Sequence, residues 1–139
     1  MNTARIRSLM DELGLSPNKA LGQNFLCDEA ALERIAAASG AGEGDHVLEI
    51  GPGLGDLTEK LLGRGARVTA VEIDSGLARH LEARFGGRQG FFLHHADFLK
   101  IHAGGDFSLS VSNLPYYCSS EMLFTLTTRY RIPALFAML

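Results

Sequence analysis

Residues 46–57 read HVLEIGPGLGDL, a pattern typical of a strand, a glycine turn and a helix in succession. The apolar run His46–Ile50 predicts a short strand, and the alternate glycines from Gly51 to Gly55 predict a sharp turn into a helix. Glycine brings the backbone close to a ligand, and the helix N-terminus beyond the turn exposes N–H groups that suit a carboxylate or a phosphate. Taken alone, the stretch is also compatible with a tight strand–helix connection that binds nothing.

Strands and helices are predicted to alternate along the chain around this turn. The predicted helices are Glu29–Ser39, Asp56–Leu62, Gly76–Phe85 and Ser119–Tyr130, and the predicted strands are His46–Ile50, Ala66–Ile73, Phe91–Ala96, a segment around Leu109–Val111, and Pro133–Leu139. This alternation predicts an α/β fold with a doubly wound, Rossmann-like, mostly parallel sheet that carries helices on both faces. Ligands of such sheets bind beyond the carboxyl ends of the strands, so the residues that follow each strand are the candidates for a site.

The composition fits a single globular domain of 139 residues, with 46% hydrophobic and 21% charged residues. The formal net charge of −3 argues against a strong nonspecific nucleic-acid binder, although it allows a shaped pocket for one nucleotide. Cys27 and Cys118 are the only cysteines, and no Cys/His spacing suggests a ligand set, so we expect no metal and a reduced, cytoplasmic setting. No apolar stretch approaches the roughly 20 residues of a membrane helix, so no membrane association is expected.

Two acidic positions refine the ligand that is predicted for the glycine turn. Asp56 stands where the dinucleotide fingerprint G-x-G-x-x-G has its third glycine, which argues against a nucleotide-dependent oxidoreductase. Glu72 ends the second strand, in the sequence VEID, and a carboxylate there can accept hydrogen bonds from both hydroxyls of a ribose. The alternative for Glu72 is an ordinary solvated carboxylate at a strand end.

The third strand also ends in an acid, Asp97, which is followed by Phe98. The Asp97 carboxylate can accept a hydrogen bond from an adenine amino group, but a helix cap or a turn former is equally compatible with the sequence. Phe98 can stack on the same adenine ring, although a core phenylalanine is the simpler interpretation.

The most specific feature is Asn113-Leu114-Pro115-Tyr116, which follows the fourth strand. An adenine amino nitrogen is a poor nucleophile because its lone pair is delocalised into the ring. The side-chain oxygen of Asn113 and the carbonyl oxygen of Leu114 can hold the two amino hydrogens and aim the lone pair at a methyl carbon. Pro115 stiffens the turn, and Tyr116 offers an aromatic face for a base taken out of its stack. The four residues are therefore candidates for catalysing methyl transfer to an amino nitrogen, and the alternative is a plain Asn-x-Pro turn.

With these residues in view, the chain resembles the KsgA/Dim family of ribosomal RNA adenine dimethyltransferases, from about Asn18 to its last residue. The stretch Leu21-Gly22-Gln23-Asn24-Phe25-Leu26 looks like the N-terminal cofactor motif of that family. The resemblance implies that the cofactor is S-adenosylmethionine, and that Asn24 and Leu26 contact it with Gln23 nearby. It also implies methyl transfer to N6 of adenosines in small-subunit ribosomal RNA, with dimethylation and a role in ribosome biogenesis.

The resemblance assigns a part of this reaction to each strand end. It implies that Gly51 lies near the methionine part of the cofactor, Glu72 on its ribose and Asp97 on its adenine. It places Asn113 at the methyl-transfer site, in contact with the cofactor. The rest of the Asn-Leu-Pro-Tyr turn would complete the pocket for the target base.

Enzymes of this family have a seven-stranded sheet followed by a small helical RNA-binding domain, whereas this sequence ends in its fifth predicted strand. We therefore expect a truncated methyltransferase domain at residues 28–139, preceded at residues 1–27 by an N-terminal helix and a cofactor-lid segment. The expected partner is ribosomal RNA or a precursor of the small subunit, and the expected state is a monomer. Two alternatives stay open: a large-subunit adenine methylase of the antibiotic-resistance type, and a noncatalytic RNA-binding or assembly module.

Overall fold

In a computed structural model of the chain, the structure describes residues 29–114 and 119–138. The helices are α1 (Glu29–Ser39), α2 (Asp56–Gly63), α3 (Ser75–Phe85) and α4 (Ser119–Thr128), and the strands are β1 (His46–Ile50), β2 (Arg67–Glu72), β3 (Phe91–His95), β4 (Leu109–Asn113) and β5 (Leu135–Met138). A short 3-10 helix, Phe98–Lys100, follows β3. Each strand and helix predicted within these residues is present, with ends that shift by a residue or two.

The five strands form one sheet in the order β3-β2-β1-β4-β5, and all neighbouring pairs are parallel. The chain moves outward from β1 through β2 and β3, and then crosses to the other side of β1 as β4. This is the predicted doubly wound, Rossmann-like arrangement, and the boundary between β1 and β4 is its topological switch point. Because the strands are parallel, their carboxyl ends share one edge of the sheet.

Helices cover both faces of this sheet. All residues of β1 are buried, as expected for a central parallel strand. One face packs against α1, α2 and α3 through a core that includes Leu61 and Leu81. The other face packs against α4 through a second core that includes Leu48 and Leu126. Among the helices within the described residues, none is long and apolar enough to cross a membrane.

Gly55 fixes the distance between the glycine turn and α3. It ends the turn with a φ of 94°, and a Cβ at this position would lie 2.6 Å from Cε2 of Phe85 and 3.1 Å from Cδ2 of Leu81. Only a residue without a Cβ lets α3 come this close, so Gly55 serves helix packing as well as chain reversal.

Gly55→Ala is expected to lower the free energy of unfolding by about 3 kcal/mol, the sum of left-handed backbone strain and overpacking. Gly87→Ala is the matched control, because Gly87 has a φ of 80° but nothing lies within 4 Å of its Cβ position. The control variant is expected to lose only the backbone contribution, about 1 kcal/mol. Urea denaturation measures both losses, and equal losses would show that the contact with Phe85 has no energetic role.

Candidate functional site

The glycine turn lies between the end of β1 and the start of α2, and it is fastened to β2. Gly51 has a φ of 66° and Gly53 a φ of 62°, conformations that residues with side chains rarely adopt. The amide of Gly51 donates to the carbonyl oxygen of Val71 at 2.9 Å, and the amide of Gly55 donates to that of Pro52 at 3.0 Å. The turn therefore wraps tightly over the carboxyl end of β1, where a ligand can approach its backbone.

Glu72 ends β2 beside this turn and is held by two backbone amides. Its Oε1 accepts from the Gly53 amide at 3.1 Å, and its Oε2 accepts from the Asp74 amide at 3.0 Å. The residue is only 3% exposed, so the solvated carboxylate considered as an alternative is wrong. Burial raises the pKa of the Glu72 carboxyl, and the backbone hydrogen bonds oppose that rise. A buried, oriented carboxylate with lone pairs to spare suits a ligand with paired hydroxyls.

Asp97 follows β3 and caps the 3-10 helix Phe98–Lys100. Its Oδ1 accepts from the Leu99 amide at 3.0 Å, and its Oδ2 has no hydrogen-bond partner among the described residues. The cap considered as an alternative is thus present, and it leaves one acceptor oxygen unused in this part of the chain. Phe98 is 2% exposed and stacks on Tyr130 with ring centroids 5.3 Å apart, so it is a core residue.

The last element of the site is the end of β4. The backbone of Asn113 pairs with Met138 of β5, and Leu114 is fully buried directly after the strand. Four parts of the predicted site thus lie at the carboxyl ends of four adjacent strands. In the order β1, β2, β3 and β4, they are the glycine turn, Glu72, Asp97 and the Asn113–Leu114 pair. These predicted site residues share one edge of the sheet, as a common ligand requires.

Part of the predicted site lies outside the described residues, namely Asn24, Leu26, Pro115 and Tyr116. The N-terminal helix and the lid segment that the sequence predicts at residues 1–27 lie there as well. Within residues 29–114 and 119–138, no cluster of three or more His, Cys, Asp and Glu side chains is arranged to hold a metal ion.

A second buried acid, Glu49, lies in β1 beneath the turn, two residues before the first glycine, and it is not among the residues that the sequence predicts to contact a ligand. It is 1% exposed and accepts a short hydrogen bond from Thr58 Oγ1 of α2. Burial raises the pKa of Glu49 to about 8 against the opposing hydrogen bond from Thr58, and the charge of Glu72 adds to the rise. Glu49 is therefore mostly protonated at pH 7. An acid inside a mostly apolar strand was the sequence signal that could have identified Glu49 as a buried carboxyl.

Two residues of α3 hold the turn from outside and were also missed. His80 Nε2 lies 3.1 Å from the carbonyl oxygen of Leu54, and Arg84 Nη1 donates to the same oxygen at 2.7 Å. Arg84 also forms ion pairs with Asp56 and Glu59 in the first turn of α2. His80 and Arg84 are one helical turn apart, a spacing that indicates a shared face but gains meaning only once α3 packs against the turn.

Known proteins resemble this chain in both sequence and fold. Residues 14–139 match the protein family described as "Ribosomal RNA adenine dimethylase". The chain is 43% identical to the ribosomal RNA small subunit methyltransferase A of Moorella thermoacetica, over 96% of this chain and 51% of that protein. The chain spans about half the length of the curated relatives it matches.

Two solved structures are similar to this chain in fold as well as in sequence. A dimethyladenosine transferase from Plasmodium falciparum is 30% identical with a TM-score of 0.71, over 81% of this chain and 42% of that one. The 23S rRNA methyltransferase ErmE is 33% identical with a TM-score of 0.69, over 81% of this chain and 45% of that one.

Proposed function

The chain belongs to the ribosomal RNA adenine dimethylase family, and we propose that its protein transfers methyl groups from S-adenosylmethionine to N6 of adenosines in small-subunit ribosomal RNA. The observation that carries this proposal is the order of the strands in the sheet, which brings the carboxyl ends of four adjacent strands to one edge. These ends carry the glycine turn, Glu72, Asp97 and Asn113–Leu114. A methyl donor and a target base have to share one cleft, and this edge of the sheet is where ligands of such folds bind.

We assign the methionine part of the cofactor to the backbone of Gly51, the ribose hydroxyls to Glu72 and the adenine to Asp97. Donor and acceptor chemistry supports the fit, since Glu72 is buried and oriented by two amides and Asp97 keeps an oxygen that its cap does not use. Asn24 and Leu26 are assigned contacts with the same cofactor from the N-terminal segment. When bound, S-adenosylmethionine supplies an electrophilic methyl group.

We assign the target base to the turn that follows β4. The side-chain oxygen of Asn113 and the carbonyl oxygen of Leu114 accept the two amino hydrogens of adenine, which keeps the nitrogen lone pair aimed at the methyl carbon. Pro115 stiffens the turn, and Tyr116 gives a face on which the extruded base stacks. No residue has to remove a proton before attack, because the amino proton leaves readily once the nitrogen carries positive charge. The protein therefore contributes positioning and preorganised polar contacts.

Separate assays of binding and transfer test this proposal. Calorimetric titration of the chain is expected to show binding of S-adenosylmethionine and none of NADH. Labelled cofactor and small ribosomal subunits that lack adenine dimethylation are expected to yield labelled N6-methyladenosines. A chain that does not bind the cofactor would contradict the proposal. RNA binding without methyl incorporation would instead favour a noncatalytic RNA-binding or assembly module.

Asn113→Ala is expected to retain cofactor binding and to slow methyl transfer by about a hundredfold, because one of the two acceptors for the amino hydrogens is lost. The measurement is methyl incorporation by the whole protein at saturating cofactor. Thr127→Ala, at an exposed position on α4, is the control and is expected to leave the rate unchanged. A wild-type rate in Asn113→Ala would show that Asn113 does not hold the amino group during methyl transfer.

The likeness to ErmE supports a second candidate substrate, 23S ribosomal RNA. The higher identity to a small subunit methyltransferase, 43% against 33%, favours the small subunit. Parallel labelling of small-subunit and large-subunit particles separates the two substrates. Dimethylation, the monomeric state and the cytoplasmic location stay predictions.

A further inference from the structure

The backbone pairing between β1 and β4 ends before the edge of the sheet that carries the proposed site. Among the described residues, their parallel register ends at the pair Leu48–Ser110. In contrast, β1 pairs with β2 as far as Ile50, and β4 pairs with β5 as far as Asn113. The two strands therefore lack backbone pairing in the residues that lead directly into the glycine turn and to Asn113.

Two serines of β4 bond to β1 around the end of this register. Ser112 Oγ accepts the amide of Ile50 at 2.9 Å, and Ser110 Oγ donates to the carbonyl oxygen of Leu48 at 2.7 Å. The two hydroxyl oxygens lie 3.3 Å from each other, and both serines are 2% exposed. The Ser112 hydroxyl thus continues the interstrand hydrogen bonding beyond the last pair of the backbone register, whereas Ser110 bonds at that last pair.

We infer that Ser112 is a positioning residue that sets the width of the cleft between the glycine turn and the Asn113–Leu114 turn. The inference rests on the proposed function, because it takes these two turns as the holders of the methyl donor and the methyl acceptor. Ser112 directly precedes Asn113, and its partner Ile50 directly precedes Gly51. One buried hydrogen bond therefore joins the residues that lead into both turns.

A serine suits this position because its hydroxyl accepts a hydrogen bond while adding little width between the strands. Alanine at position 112 would leave the buried Ile50 amide without its partner. The strands could relieve that loss only by closing or by admitting water. Either response moves Asn113 relative to Gly51, and a misplacement of about 1 Å can cost about a hundredfold in rate.

Ser112→Ala and Ser110→Ala form a matched pair, because each removes one buried hydroxyl from the same strand. Ser110 bonds at the last registered pair, so only Ser112→Ala is expected to change the cleft. In methyl-transfer assays of the whole protein, we expect Ser112→Ala to lower kcat by about tenfold or more while the KM for S-adenosylmethionine changes less than about threefold. Ser110→Ala is expected to keep kcat within about twofold of wild type at a similar loss of thermal stability.

Amide hydrogen exchange supplies a readout that does not depend on activity. The Ile50 amide is expected to exchange faster in Ser112→Ala than in Ser110→Ala, because only the former removes its acceptor. Ser112→Cys covers the case in which the alanine variant does not fold, since a thiol fills the space but accepts hydrogen bonds weakly. We expect its kcat to lie between those of wild type and Ser112→Ala.

Three results would overturn the inference. They are an unchanged kcat in Ser112→Ala, equal kcat losses in both alanine variants, or, where Ser112→Ala does not fold, a wild-type kcat in Ser112→Cys. A wild-type protein that transfers no methyl group would contradict the proposed function, and the inference with it. The wild-type measurement therefore tells the two failures apart.

Discussion

Glu72→Ala is expected to weaken S-adenosylmethionine binding by about a hundred- to a thousandfold. Two charge-assisted hydrogen bonds from the ribose hydroxyls to this carboxylate would be lost, at about 1.5–2 kcal/mol each. Glu72 also holds the amides of Gly53 and Asp74, so its removal loosens the glycine turn as well. Calorimetric titration of the chain with the cofactor measures the total loss.

A ligand-side control separates the ribose contact from the loosened turn. S-adenosylhomocysteine and its 2′,3′-dideoxy analogue differ only in the two hydroxyls assigned to Glu72. Wild-type protein is expected to discriminate strongly between them, whereas Glu72→Ala should bind both with similar, weak affinity. If the variant still discriminates as wild type does, Glu72 supports the turn but does not bind the ribose.

Local sequence patterns were sufficient to predict most of the fold. Apolar runs separated by glycine turns are local features, so β1, the turn and the following helices could be predicted without tertiary information. The predicted second strand was one residue too long at its end, because β2 stops at Glu72, where its register with β3 ends. Ile73 lies beyond that register and is 36% exposed, and its apolar side chain gave no sign of this.

The positions of the candidate site residues followed from topology, but their partners did not. Parallel strands bring Glu72 and Asp97 to one edge, which strand order alone predicts. That Gly55 packs against Phe85 depends on where α3 lies, so the sequence suggested only a sharp turn and a ligand approach for this glycine. Ser112 bonds to β1 beyond the last backbone pair of β1 and β4, and a serine in a strand carries no local signal of where such pairing ends.

Glu49→Gln is expected to remove a pH-dependent decrease in the free energy of unfolding that is caused by ionisation of this buried carboxyl in β1. Burial raises the pKa of the Glu49 carboxyl to about 8 in the folded chain, whereas the same carboxyl in an unfolded chain has a pKa of 4.5. Between these values the folded state binds more protons than the unfolded state, so stability falls as pH rises. The contribution of the protonated Glu49 carboxyl to the free energy of unfolding is fully present below pH 4.5 and is lost as pH rises through about 8.

Glutamine matches the protonated acid in size and in hydrogen-bonding groups, so it can accept from Thr58 without ever acquiring charge. The difference in free energy of unfolding between Glu49→Gln and wild type is therefore expected to grow by roughly 1.4 kcal/mol per pH unit in this window, and by roughly 3–5 kcal/mol in total. Urea denaturation at intervals from pH 5 to pH 9 measures this difference. Glu121→Gln, at an exposed position on α4, is the control.

The direction in which the stability difference changes with pH shows whether burial or the hydrogen bond from Thr58 dominates the pKa of Glu49. A carboxylate stabilised by its hydrogen bond from Thr58 would make the wild type gain stability over Glu49→Gln as pH rises, because the charged form would be favoured. Burial at 1% exposure with Glu72 nearby predicts the opposite slope. A difference that stays flat with pH, or that matches Glu121→Gln, would show that Glu49 ionises normally and that water reaches it beneath the turn.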